Sequence, residues 1–139
     1  MNIELEFVES SQIFKIKYEM FAEALHVTFR NGDQWVYSGV PDDVVLAWTR
    51  AQSAGSFFHE RVKPGREARQ IHVGTIDDRA RIWLRSKDAK EFEGSWVMLS
   101  GNPVKVVAWD YQEEVLRSLA SDGAVVVEVP KETNDALRK

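Results

Sequence analysis

The chain has 139 residues, 44% of them hydrophobic and 29% charged, which excludes a disordered chain and suits one compact domain or two very small ones. Its net charge of -4 argues against a protein that coats nucleic acid by bulk electrostatics. The absence of cysteine removes disulfides, thiolate metal sites and cysteine nucleophiles together. The amino terminus, Met1-Asn2-Ile3-Glu4-Leu5-Glu6-Phe7, is acidic and alternating, without the basic start and apolar core of a secretory signal. No window carries the uninterrupted apolar run that a bilayer requires. The expected location is cytoplasmic, with no membrane partner.

The fold expected is α+β: an antiparallel β-meander followed by two short helices, then a second small ββαβ unit. From Ile13 to Tyr18, Phe14, Ile16 and Tyr18 alternate with Lys15 and Lys17, as in a half-buried strand. Leu25, Val27 and Phe29 repeat the alternation. Asn31-Gly32 then supplies the positive φ of a hairpin, and Gln34 to Tyr37 returns as the next strand. Val40-Pro41-Asp42-Asp43 opens a helix, with acidic residues at the positive end of its dipole and Val44, Val45 and Trp48 spaced for an inner face. Ser53 caps a second short helix that runs through Val62. Lys63-Pro64-Gly65 ends it and marks the main boundary.

Within this half, Trp35-Val36-Tyr37, two further residues, Val40-Pro41, then Ser53-Ala54-Gly55-Ser56-Phe57-Phe58 and Val62-Lys63 follow one another. In order and spacing they resemble the KTSC domain, a family named for its occurrence at the C-terminus of some lysyl-tRNA synthetases. The resemblance covers residues 10–65. Where the family has Tyr-x-Tyr, this chain has Trp35-Val36-Tyr37, which keeps the aromatic character and loses one hydroxyl. For function the resemblance implies RNA binding, the usual suggestion for the family.

Residues 66–92 read as a basic connecting segment. Between Arg61 and Lys87 there are eight basic residues and three acidic ones, so this stretch carries a surplus of five positive charges and the remainder nine negative. The chain is bipolar in sequence. The run Arg79-Ala80-Arg81-Ile82-Trp83-Leu84-Arg85 is expected as a strand over 79–85. Arg79, Arg81, Trp83 and Arg85 would then share one face, with Ala80, Ile82 and Leu84 on the other.

Residues 93–130 form the ββαβ module. Ser95 to Leu99 and Val104 to Trp109 are apolar runs divided by Ser100-Gly101-Asn102-Pro103, which is turn chemistry. Tyr111 to Ala120 places Val115, Leu116 and Leu119 at helical spacing, and Gly123 closes the helix. The valine-rich strand Ala124 to Val129 is expected at the centre of its sheet. Glu93-Gly94-Ser95-Trp96-Val97 through Val129-Pro130 resembles a small prokaryotic module with the same ββαβ order. The residues after Pro130 are polar and expected to fray.

Reactive constellations are scarce. His26, His59 and His72 lie in three separate segments without metal-ligand spacing. Gly55-Ser56-Phe57 lacks the second glycine of a nucleophile elbow, and the eight glycines are scattered singly rather than set in a phosphate loop. Asp42-Asp43, Asp77-Asp78 and Glu113-Glu114 serve as helix starts or turns rather than acid and base couples. The expectation is a non-enzymatic protein without metal or cofactor.

Trp35, Tyr37, Phe57 and Phe58 read first as core and second as a platform on which bases stack. Two functions follow from different classes. The first is a nucleic-acid-binding module, for RNA or single strands before duplex DNA, in which Arg79, Arg81 and Arg85 hold phosphates and Trp83 stacks on a base. Lys63, Arg66 and Arg69 would extend that track. The second is a protein-interaction module, an adaptor or inhibitor, that uses the Arg-Trp-Arg face as a hot spot. Its bipolar charge also suits head-to-tail self-association into a homo-oligomer.

Overall fold

The computed structural model describes residues 2–131, so the tail expected to fray lies, from residue 132 onward, outside the described residues. The chain divides into two units, Met1–Gly74 and Thr75–Lys139. In the first, five antiparallel strands lie side by side in chain order: β1 (Asn2–Glu6), β2 (Ile13–Glu19), β3 (Ala24–Phe29), β4 (Gln34–Tyr37) and β5 (Ala68–His72). The meander read from the sequence forms the middle of this sheet.

Alternation puts Ile16 and Tyr18 of β2, Leu25 and Val27 of β3 and Tyr37 of β4 into one buried cluster. Phe14 was expected to join them, but the register shifts between Ile13 and Lys15. The shift turns Ile13 into the cluster, while Phe14, also buried, sits with the Arg30 guanidinium 5.4 Å from its ring centre. The hairpin at Asn31-Gly32 forms as expected, with Gly32 at φ 92°, a conformation that favours a residue lacking Cβ.

Two short helical segments cover the inner face. Helix α1 (Asp42–Trp48) begins with Asp42 and Asp43 in its first turn and buries Val44, Val45 and Trp48. Helix α2 (Ala54–Phe57) is capped as expected, the Ser53 hydroxyl accepting from the Ser56 amide. It runs on into a π-helical turn, Phe58–Val62. Trp48 is the keystone of this layer. Its ring stacks against Phe7, Phe57 and Phe58 at centroid distances of 5.4, 6.2 and 5.9 Å, and its indole N–H donates to Ala54 O at 3.1 Å. Beside it the Tyr18 hydroxyl lies 2.5 Å from Val40 O and 2.7 Å from Asp42 Oδ1. Burial, and then the Asp42 carboxylate, push the Tyr18 hydroxyl well above its ordinary value.

Lys63-Pro64-Gly65 ends the helical layer but not the unit, because β5 follows and pairs with β4. Strand β5 escaped the sequence reading because every one of its residues is exposed, so it carries no apolar alternation. The unit closes at Gly74, whose amide donates to Asp33 Oδ1 at 2.8 Å. A Cβ there would fall 2.1 Å from Asn31 O and 2.7 Å from the Gly32 backbone, so only glycine fits.

The second unit begins with a correction. Residues 79–85 are not a strand: helix α3 spans Ile76–Leu84. The Thr75 side chain accepts from the Asp78 amide while the Asp78 carboxylate accepts from the Thr75 amide, a capping box that starts the helix. Ala80 and Trp83, three residues apart, then meet the core at helical spacing. After a 3₁₀ turn over Lys87–Phe92 come β6 (Trp96–Ser100), β7 (Lys105–Asp110), α4 (Glu113–Leu119) and β8 (Ala124–Glu128). This is the ββαβ order expected. The sheet order is β7-β6-β8, so the valine-rich β8 lies at an edge and β6 at the centre. Its apolar run reflects helices near the strand rather than strands on both sides, since both α3 and α4 lie against β8. Helix α4 ends at an extended Ala120, and Gly123, at φ 84°, serves the turn into β8 instead of the helix end.

Candidate functional site

Four of the residues singled out in the sequence meet in one place. Trp35 and Tyr37 alternate on β4 and point to the helical side of the first sheet, where Tyr37 packs edge-on against Phe58 at 5.4 Å. Lys63 and Arg66 flank the loop that leaves the π-helical turn. Together with Phe29, Phe58 and His59 these side chains line a groove of ≈ 360 Å³. Its floor is aromatic and its rim basic. Asn31 and Asp33 at the hairpin supply the polar end, and Ala68 of β5 the far wall.

The members of this groove have different freedom. Tyr37 is buried, which raises its hydroxyl above the ordinary value near 10.0. Arg66 is committed to the scaffold, its Nε donating to Val62 O at 3.1 Å and its Nη1 to Gly39 O at 2.7 Å. The first bond satisfies the end of the π-helical turn, the second holds the loop after β4, and a positive charge is left at the groove. Lys63 is exposed. Trp35 is half-buried against the core cluster, and among the described residues no other ring pairs with it.

His59 and Gln12 were not anticipated. His59 Nε2 lies 3.0 Å from Gln12 Oε1, and this pair forms a wall between the groove and a second hollow of ≈ 770 Å³. That second hollow is lined by Glu6, Glu9 and Glu60 and, among the described residues, by no lysine or arginine. The two hollows therefore suit ligands of opposite charge, and only the first suits an anion. The contact joins residues 47 apart in the chain, so no local pattern announces it.

The remaining sequence candidates do not join the groove. Arg69 pairs with Val36 across the β4–β5 ladder, and alternation puts both on the sheet face opposite Trp35 and Tyr37. Arg79, Arg81, Trp83 and Arg85 belong to the other unit, and the face expected to unite them does not exist. On a helix Arg79 and Trp83 share one side, and Arg81 and Arg85 another. Trp83 is 8% exposed and packs on Phe92 at 6.0 Å. Arg79 donates to Gly101 O at 3.1 Å, and Arg81 pairs with Asp78 one turn earlier. The helix buries the Trp83 indole and leaves the Arg81 side chain at the surface.

Among the described residues, no group of three or more histidine, aspartate or glutamate side chains is placed to hold a metal ion. No helix among them is long and apolar enough to cross a membrane.

Residues 9–65 match the KTSC domain family. The KTSC match contains β2, β3, β4 and both helical segments, and so contributes most of the groove. It stops short of Arg66 and Ala68 and leaves out β1 and β5, the two outer strands of the sheet. A crystal structure of a KTSC domain protein from Yersinia pestis is similar to this chain at 28% identity, with a TM-score of 0.48, over 52% of this chain and 100% of that one. No curated protein matches the chain.

Proposed function

We propose that the groove beside Trp35 binds a single-stranded nucleic acid, RNA before DNA, and that the protein is a non-enzymatic binding module. One observation carries this reading: a half-buried tryptophan with which no other ring among the described residues pairs lines the same groove as Lys63 and Arg66. A base stacks on the indole, the Lys63 ammonium meets a phosphate, and Arg66 adds fixed positive charge from its place on the scaffold. The aromatic residues of single-strand binders act in this way because every base presents a π-face, whatever its sequence. Duplex DNA is disfavoured by the overall charge of -4 and by the narrow reach of two basic side chains.

Fluorescence anisotropy of a labelled oligoribonucleotide at low salt tests the proposal. Binding should weaken by roughly 1 to 3 kcal/mol in Trp35→Ala, as for loss of one stacked base. In Lys63→Ala the logarithmic salt slope should fall by about 0.7, one phosphate contact on a single strand. Arg81→Ala, in the other unit, should bind as the parent does. Absence of binding at high micromolar protein, or equal affinity in Trp35→Ala, overturns the reading.

A further inference from the structure

The first sheet has two open edges, and they differ in charge. Among the described residues no strand pairs with the outer side of β1 or of β5. Such edges present unpaired N–H and C=O groups that accept another strand unless something deters it. Every residue of β5 is exposed, and Ile71, 44% exposed, gives this edge an apolar centre.

The ladders fix which side chains meet across the sheet. Glu4 lies opposite Lys17, Lys17 opposite His26, His26 opposite Val36 and Val36 opposite Arg69. One row therefore crosses all five strands on one face, entering at a carboxylate on β1 and leaving at a guanidinium on β5. Four successive antiparallel pairings make β1 and β5 run in the same direction. A second copy displaced sideways thus brings its β1 alongside β5 in parallel, with like faces on the same side and its Glu4 beside Arg69. Two β1 edges would instead oppose carboxylate to carboxylate. Both strands lie outside the segment that matches the KTSC family.

We propose that the sheet continues from one copy of the chain to the next, the acidic edge β1 of one molecule adding in parallel to the basic edge β5 of another. The contact is heterologous: a pair keeps β1 free on one molecule and β5 free on the other, so association proceeds beyond a dimer unless a ring closes.

Size-exclusion chromatography with light scattering on the full chain tests this. The average mass should rise with concentration past that of two copies. Arg69→Glu and Glu4→Lys should each raise the apparent dissociation constant about tenfold, by placing like charges opposite one another. The milder Glu4→Gln should raise it about threefold. The double variant Arg69→Glu with Glu4→Lys restores an opposite pair and should regain the parent's association, with circular dichroism showing that all variants keep their strands. A protein that stays monomeric to millimolar concentration overturns the proposal. So does association that ignores Glu4→Lys, which would place two β5 edges against each other, and so does a double variant that is not rescued.

Discussion

The two units house their aromatic side chains in opposite ways. In the first, five strands and two helical segments enclose a cluster large enough to bury Trp48 completely between three phenylalanines. Trp35 is left at the margin, where the groove opens. In the second, three strands offer less depth, and a chain of rings runs outward from buried Trp83 through Phe92 to Trp109 and Tyr111, which are 52% and 71% exposed. A small sheet cannot enclose four large rings, because buried area grows with the size of the unit. Partial exposure of a tryptophan therefore means different things at two positions: a groove at Trp35, and the limit of a thin core at Trp109.

Cutting back the central indole of each unit should break the comparison most severely. Trp48→Ala should cost about 3–5 kcal/mol, since the cavity opens among rings held on several sides. Trp83→Ala should fall near about 3 kcal/mol, because the ring lies closer to solvent and its neighbours have room to settle. Thermal melts of the two variants check the order, and equal losses would show that the second core is as tightly closed as the first.

A smaller effect belongs to the first unit alone. Tyr18→Phe should cost about 1–3 kcal/mol, leaving buried Val40 O without its donor. It also changes the alkaline limb of stability. The Tyr18 and Tyr37 hydroxyls hold their protons above the ordinary value of 10.0 in the native protein. An unfolded chain releases those protons near pH 10 while the native chain retains them. The stabilisation is therefore complete below that pH and is lost as pH rises above it, at roughly 1.4 kcal/mol per pH unit for Tyr18, with Tyr37 adding a loss in the same direction. Chemical denaturation at pH 9, 10 and 11 should show a shallower decline in Tyr18→Phe than in the parent. At the bottom of the scale, Arg81→Ala should shift stability by less than about 0.5 kcal/mol, because the Arg81 side chain is exposed and Asp78 keeps its bond from the Thr75 amide. A larger loss would show that the pair with Asp78 helps to hold the first turns of α3.

Much of this arrangement is legible in the residues. Alternation from Ile13 to Phe29, the Asn31-Gly32 turn, the acidic start at Asp42 and the Ser53 cap each act over a few residues, and each forms. The run at 79–85 was misread because its seven residues satisfy two periods: Ala80, Ile82 and Leu84 fit a strand, while Ala80 and Trp83 fit a helix. The deciding signal lay just outside the window, in Thr75 and Asp78. The candidate site was half legible. Trp35, Tyr37, Lys63 and Arg66 stood out by type, but their convergence depends on β4 passing beneath the end of the π-helical turn. Gln12 and His59 were beyond reach because a contact between residues 47 apart leaves no trace in either neighbourhood.

Gly74 sets where this protein can be divided. A cut placed at the visible Pro64-Gly65 turn would discard β5, expose the outer edge of β4 beside Trp35, and remove the backbone amide that ties down Asp33. The smallest piece that keeps the groove's walls therefore ends at residue 74 rather than at residue 65. For anyone trimming the chain to crystallise the groove, or grafting a tag between the units, the first permissible joint lies after the glycine.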